Sequence, residues 1–202
     1  MQLFYSTTSP FARIARIALA EKGCRELSHR LTDPWKDSPE LLLANPSARV
    51  PTVVLDSGLP LTESLLIVLW LEAKYPNPSL LGDDPGTVIS MAGIAMGAIE
   101  AAAAVIIGRK MTDAAFDESP VGLRRRRSII LAMARLEANP PDSHVPIPSL
   151  ALITTVVALD YLRFRFAGSP WLPPLPKLDA LALAARSRSA FAETLPHDMP
   201  GS

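Results

Sequence analysis

NPSARVPTVVLDSGLPLTES, residues 45–64, decides how this chain folds. Val50-Pro51 forces an extended or turn segment immediately before an apolar run. TVVL (52–55) and Leu59 to Leu61 then read as the two strands of a hairpin that turns at Asp56-Ser57-Gly58. A helix follows from Ser64 to Lys74 and stops before Pro76. Thr62 or Ser64 can cap it, and Glu63 suits its positive end. Toward the N-terminus, a short helix runs from Pro39 to Leu43 behind a cap at Ser38, and Glu26 to Leu31 fits a strand. Pro10 to Lys22 is helical, with Phe11, Ile14, Ala15, Ala18 and Leu19 at helical spacing and Gly23 ending it. QLFYS (2–6) is a short strand. The order βαβαββα predicts a small α/β domain with helices on both faces of one sheet.

Toward the C-terminus the chain turns rich in Pro, Gly and Asp, and strand patterns stop. Residues 1–77 are expected to form the α/β domain, 78–84 a linker, and 85–202 an all-helical domain. Its helices are expected near 86–110, 119–138, 149–165, 177–186 and 187–194, with the proline-rich loop ANPPDSHVPIPS at 138–149. VISMAGIAMGAIEAAAAVII (88–107) has the length of a membrane span. Its Ala and Gly insert weakly, however, and Glu100 sits inside it, so a buried helix and no membrane is the better reading.

Twenty basic residues balance twenty acidic ones, which argues against a nucleic-acid partner. The run RRRR (124–127) points all round its helix and makes no single basic face. Cys24 is the single cysteine, so no intramolecular disulfide is available. A reducing, cytoplasmic setting is expected, and the N-terminus lacks the pattern of a secretory signal. His29, His144 and His197 lack metal-ligand spacing, so no metal is expected. Neither a phosphate loop nor a G-x-S-x-G elbow occurs.

The chain resembles cytosolic glutathione S-transferases of bacterial type. SPFARIARIALAEKG (9–23), the 45–64 block, EAKYP (72–76) and ALDYLRFRF (158–166) carry the likeness in order. It implies a thioredoxin-like N-terminal domain that holds glutathione as co-substrate. A helical C-terminal domain would supply the pocket for a small hydrophobic electrophile, and a homodimer is implied. It further implies that Pro51 is cis, so that the backbone of Val50 pairs with the cysteinyl part of glutathione. Glu63 and Ser64 would hold the γ-glutamyl end, a carboxylate for its ammonium and a hydroxyl with helix-start amides for its carboxylate.

Ser9 precedes Pro10, which marks it as an N-cap on sequence grounds. The resemblance adds a second role, donation to the glutathione sulfur. A thiol with a pKa of roughly 8.5 is mostly protonated at neutral pH, and a hydroxyl donor at a helix start favours its thiolate. Thr8 and Thr7 are rivals for that role. Serine here, where relatives with cysteine form a mixed disulfide, favours conjugation over reductase-like chemistry. Phe11 fits either beside the thiol site or in the core. Arg49, Lys36 and Arg13 are candidates for the glycyl carboxylate. Cys24 lies beyond the far end of the first helix, where a packing role fits.

In the helical half, Gly93, Gly97, Ala101 and Ala104 share a helix face suited to close approach, inside the chain or at a dimer interface. The resemblance makes Glu100 a candidate for the γ-glutamyl ammonium of a neighbouring subunit. Met96, Ile99 and Phe116 stand where a second-substrate pocket is built but name no electrophile. Ser149 opens the sixth helix, yet Leu152 stands where the family often has Asp, so half of a reciprocal capping pair is missing. The expected reaction is attack of glutathione thiolate on the electrophile. A weakly catalytic glutathione-binding carrier or regulatory protein is one alternative. A glutathione-dependent reductase, isomerase or ether-cleaving enzyme is the other.

Overall fold

Strand β1 (Gln2–Tyr5) lies second in a four-stranded mixed sheet of order β2-β1-β3-β4. It pairs parallel with β2 (Ser28–Leu31) and antiparallel with β3 (Thr52–Val54), which in turn pairs antiparallel with β4 (Pro60–Thr62). The computed structural model describes residues 1–24, 26–143 and 145–199. His144 and the last residues of the expected 85–202 domain lie outside them. Two compact units emerge: residues 1–80 with 188–202, and residues 81–187. The sequence reading kept everything after 85 together; in the structure the stretch from Arg188 groups with the sheet-bearing unit.

In that first unit, α1 (Pro10–Glu21), α2 (Pro39–Ala44) and α3 (Ser64–Lys74) alternate with the strands in the βαβαββα order. β2 begins two residues later than its pattern suggested, and an extra 3-10 turn, Pro34–Lys36, is capped by Asp33. The α1 face bearing Ile14, Ala15, Ile17 and Ala18 is buried and packs on α3, where Ile67, Val68 and Leu71 are buried. Leu3 and Val53 pair across β1 and β3 with both side chains in the core. Burial of such side chains contributes roughly 1.5–3 kcal/mol each. The tail adds a short helix, α8 (Ser189–Ala192), against α1.

The second unit is helical throughout. α4 (Pro85–Met111) packs against α5 (Pro120–Ala138) and α6 (Leu150–Arg165), and α7 (Pro176–Ala185) covers α6. α6 is buried along every face from Leu150 to Leu162, which explains its lack of amphipathic periodicity. α4 is long and apolar enough to cross a membrane, but Ala92, Ala95, Ala98, Ile99, Ala102 and Val105 lie in the core of this unit. A 3-10 turn, Ala114–Glu118, closes the α4–α5 corner. A Cβ on Gly108 would stand 2.4 Å from the Phe116 ring, and one on Gly122 would stand 2.2 Å from the Phe116 carbonyl oxygen. Only glycine admits that turn so closely. Arg109 locks it by a two-point pair with Asp117, and Arg126 bonds Glu118.

α6 also accounts for its missing aspartate. Ser149 Oγ accepts from the Leu152 amide at 3.2 Å, so the forward half of the capping arrangement is present. Leu152 itself is 3% exposed. The side chain packs in the core where a reciprocal carboxylate would point back to the cap.

Candidate functional site

The sheet register gathers three segments at one end of the first unit. Phe4 pairs with Thr52, and Thr52 pairs with Thr62, so the three residues form one row across β1, β3 and β4. Residues 6–9 leave β1 just beyond this row, Val50-Pro51 enters β3 just before it, and Glu63-Ser64 leaves β4 just after it. Neighbouring strands stand roughly 4.8 Å apart, so the three segments span about 10 Å. That is about the length of three extended residues.

The middle segment is held from within. The Val50–Pro51 peptide is cis. Asn45, buried at the end of α2, donates to the Arg49 carbonyl at 3.1 Å and to Thr52 Oγ1 at 3.2 Å, while its Oδ1 accepts from the Ser47 amide. Thr52 Oγ1 donates to the same Arg49 carbonyl at 2.9 Å. Ala48 takes φ 49° in the loop that these bonds close. Val50 packs its side chain against Phe4, Ala12 and Leu41, yet its own N–H and C=O find no partner among the described residues. An extended ligand backbone finds a free donor and acceptor there.

The third segment opens a helix without closing it. Glu63 is the N-cap residue of α3, with φ 65° and ψ 123°, and its side chain makes no capping bond. Neither Thr62 nor Ser64 caps the helix in its place. Ser64 is buried at the first helical position, and its hydroxyl has no partner among the described residues. An uncapped helix start beside an unused hydroxyl attracts a carboxylate. Among the described residues, the exposed Glu63 carboxylate has Arg49 as its one charged neighbour, at 3.8 Å.

Four hydroxyls compete in the first segment, and hydrogen bonding separates them. Thr7 Oγ1 donates to the His197 carbonyl at 2.7 Å. Ser6 and Thr8 hydroxyls lie 3.0 Å apart as a pair, and Ser6 Oγ also accepts from the Thr8 amide. Ser9 caps α1, its Oγ accepting from the Ala12 amide at 3.1 Å. That bond uses a lone pair and leaves the hydrogen, whose O–H meets no acceptor among the described residues. Capping and donation to a ligand are therefore compatible in Ser9.

The remaining candidates scatter. Phe11 is half-buried beside the cap. Lys36 is exposed in its 3-10 turn, 3.9 Å from Asp33. Arg13 is buried, and its guanidinium donates to Thr194 Oγ1 and the Phe191 carbonyl, both at 3.3 Å, which turns it from the row toward the tail. In the helical unit Glu100, Gly93 and Gly97 are exposed on α4, whereas Ala101 is buried and Ala104 half-buried. Met96 and Ile99 are core residues there, and Phe116 packs on Gly108. A shallow groove of about 620 Å³ on the same unit is lined by Pro120, Val121, Leu123, Arg124 and Arg127. Arg126 turns inward to Glu118, so the arginine run splits and Arg124, Arg125 and Arg127 are left exposed. Sequence reasoning missed Asn45 and Thr52, whose signal is an Asn-Pro at a helix end five residues before Val-Pro.

Comparison with known proteins agrees with the fold. Residues 8–74 match the family model of the glutathione S-transferase N-terminal domain. An uncharacterised GST-like protein of Escherichia coli K12, YibF, is 30% identical over 202 residues, covering 97% of this chain and 98% of that protein. A stringent starvation protein A homolog of Pasteurella multocida is 32% identical over 143 residues, 70% of this chain and 65% of its own length. A maleylacetoacetate isomerase of Pseudomonas aeruginosa is 38% identical over 86 residues, 41% of this chain and 40% of its own length. Among solved structures, a glutathione S-transferase of Methylobacterium radiotolerans in complex with glutathione sulfonate superposes with a TM-score of 0.87 at 29% identity, covering 98% of this chain and 95% of that one. A thioredoxin-like N-terminal domain with a helical C-terminal domain is thus the fold of this chain.

Proposed function

The chain belongs to the glutathione S-transferase family, and on that premise we propose that it conjugates glutathione thiolate to a small hydrophobic electrophile. The observation that carries this reading is the unused Ser9 hydrogen at the start of α1. Donated to sulfur, and joined by the positive helix end, it favours thiolate over thiol. With a chloronitroarene, sulfur attacks the ring carbon and a carbon–sulfur bond forms. Chloride leaves with its electron pair, and the thiol proton passes to solvent. Val50 would pair its free N–H and C=O with the cysteinyl backbone. Glu63 would take the γ-glutamyl ammonium, while Ser64 and the open start of α3 would take the γ-glutamyl carboxylate. Arg49 is the cation on this row best situated for a further ligand carboxylate.

In this reading the sheet-bearing unit, residues 1–80 with 188–202, binds glutathione, and the helices between 85 and 187 supply the electrophile pocket and dimer contacts. The exposed Gly93 and Gly97 of α4 suit a homodimer, with Glu100 reaching toward the partner's glutathione. A cytoplasmic location fits its glutathione requirement. The test is conjugation of a chloronitroarene by wild type and Ser9→Ala. A fall of roughly a hundredfold in kcat/KM supports the assignment; full activity in the variant overturns it.

A second reading rests on the relatives, which include an isomerase and a stringent starvation protein homolog. A chain that binds glutathione resin yet turns over no electrophile in a broad panel favours the carrier role. Turnover of an unsaturated diacid without net consumption of glutathione favours the isomerase.

A further inference from the structure

Val50 carries the free donor and acceptor of the middle segment, and its amide belongs to a peptide unit that is gripped from the opposite side. A peptide unit is planar, and in the trans form its C=O and N–H point in opposite directions. Arg49 and Val50 share such a trans unit. The Arg49 carbonyl oxygen accepts twice, from Asn45 Nδ2 at 3.1 Å and from Thr52 Oγ1 at 2.9 Å. Both donors therefore lie on the side of the unit away from the Val50 N–H.

The clamp has no slack. Asn45 is 5% exposed and Thr52 is fully buried. Asn45 Nδ2 spends its second hydrogen on Thr52 Oγ1 at 3.2 Å, and its Oδ1 accepts from the Ser47 amide at 3.0 Å. These bonds also fix the sense of the side-chain amide, since its oxygen, turned over, would face the Arg49 carbonyl. Beyond the Val50 N–H, the Val50 side chain is set in the core against Phe4, Ala12 and Leu41. The unit is thus held on both sides of its amide hydrogen. Two donors on one carbonyl also polarise the peptide, which makes its N–H a stronger donor.

We infer that Asn45 and Thr52 are positioning residues for ligand binding, whose clamp on the Arg49 carbonyl aims the Val50 N–H at a ligand carbonyl. This inference rests on the glutathione reading above, in which that carbonyl is the cysteinyl one. Both side chains act through the peptide unit and not by contact with the ligand.

Two ligands separate aim from mere stability. Glutathione has the cysteinyl carbonyl; γ-glutamylcysteamine keeps the γ-glutamyl end and the thiol but lacks that carbonyl. Affinities of both are measured by calorimetry for the full chain, Asn45→Asp and Thr52→Val. Asn45→Asp keeps an acceptor for the Ser47 amide and removes the donors to the Arg49 carbonyl. Glutathione affinity should fall at least about tenfold in Asn45→Asp and about threefold in Thr52→Val, as expected for weakened hydrogen bonding. Affinity for γ-glutamylcysteamine should stay within about twofold in both. The same falls are expected in an Arg49→Ala background, which sets aside any role of the Arg49 side chain. Equal losses for the two ligands, an unchanged glutathione affinity, or falls that vanish in the Arg49→Ala background overturn the inference while leaving the glutathione reading intact. Failure of the full chain to bind glutathione removes both. Should Asn45→Asp not fold, Thr52→Val, which loses one hydroxyl, decides by the same ratio.

Discussion

The two ends of α1 and α3 solve opposite problems. At the sheet-row end α1 starts at Ser9, with an unused hydrogen, and α3 starts at Glu63, with no cap. At the other end the same helices are closed. Lys22, the C-cap residue of α1, has a fully buried side chain that pairs with Glu72 of α3 and donates to the carbonyls of Tyr75 and Pro78 at 2.7 and 2.6 Å. Glu72 in turn accepts from Ser79 Oγ and from the Leu80 amide at 2.8 and 2.9 Å. One end keeps donors and acceptors for a visitor. The other satisfies its own, which leaves the helix starts rigidly placed. Stability and binding are thus separated along two helices, and substitutions should separate them too.

The largest effect is expected at the closed end. Lys22→Met leaves the Glu72 carboxylate beside an apolar side chain and removes donors from two carbonyls. Breaking a buried pair on one side costs about 3–5 kcal/mol. Urea unfolding should show that loss, while any folded fraction keeps its glutathione affinity. A variant of wild-type stability would mean that the closed end contributes little. At the open end, Ser9→Ala should cost about 1 kcal/mol as a lost cap and roughly a hundredfold in conjugation rate. A drop in stability alone would return Ser9 to a purely capping role.

Legibility follows the same division. The open end was readable because its constraints are local. Pro10 marks the helix start, Val-Pro marks the extended entry to β3, and Glu63-Ser64 sits where a hairpin meets a helix. Even there the sequence named the wrong cap for α3, since Thr62 and Ser64 both suit capping and neither is used. It also left Thr8 and Thr7 as rivals of Ser9, because the bond that sets Thr7 apart ends on the His197 carbonyl, 190 residues away. The sequence ends the first helix at Lys22 and suggests no role for its side chain, for its partner stands 50 positions on, in another helix. Arg13 misled for the same reason: its acceptors lie in the tail, 178 and 181 residues away. Patterns of a few residues report turns and caps; they carry no trace of such distant partners.

Glu63 offers a way to set the two properties against each other. Its φ of 65° with ψ of 123° is a conformation that side chains disfavour by roughly 1–3 kcal/mol. Glu63→Gly relieves that cost, partly offset by glycine's greater freedom in the unfolded chain. A net gain of about 1 kcal/mol is expected, raising the thermal midpoint by roughly 2–4 °C. Glutathione affinity should fall about tenfold with loss of the carboxylate. Stability and binding moving in the same direction would contradict the division.

The smallest effect is a pH dependence at the closed end. Burial pushes the Glu72 carboxyl upward, but the hydrogen bonds from Lys22, the Leu80 amide and Ser79, with the Lys22 charge, outweigh it and hold it below the ordinary glutamate value. A carboxyl depressed in the folded state stabilises the fold fully above its unfolded pKa, near 4.3. That contribution fades as pH falls through the folded value, since the unfolded chain takes up its proton first. Glu72→Gln has no such proton to bind. The stability difference between wild type and this variant should therefore be constant from neutral pH to about 5, then shrink toward pH 3. Urea midpoints at four pH values across that range measure it. A difference that persists undiminished at pH 3 would mean that the carboxylate's charge is not what closes this end of α3, and that the Ser79 and Leu80 hydrogen bonds, which a glutamine can partly keep, do so instead.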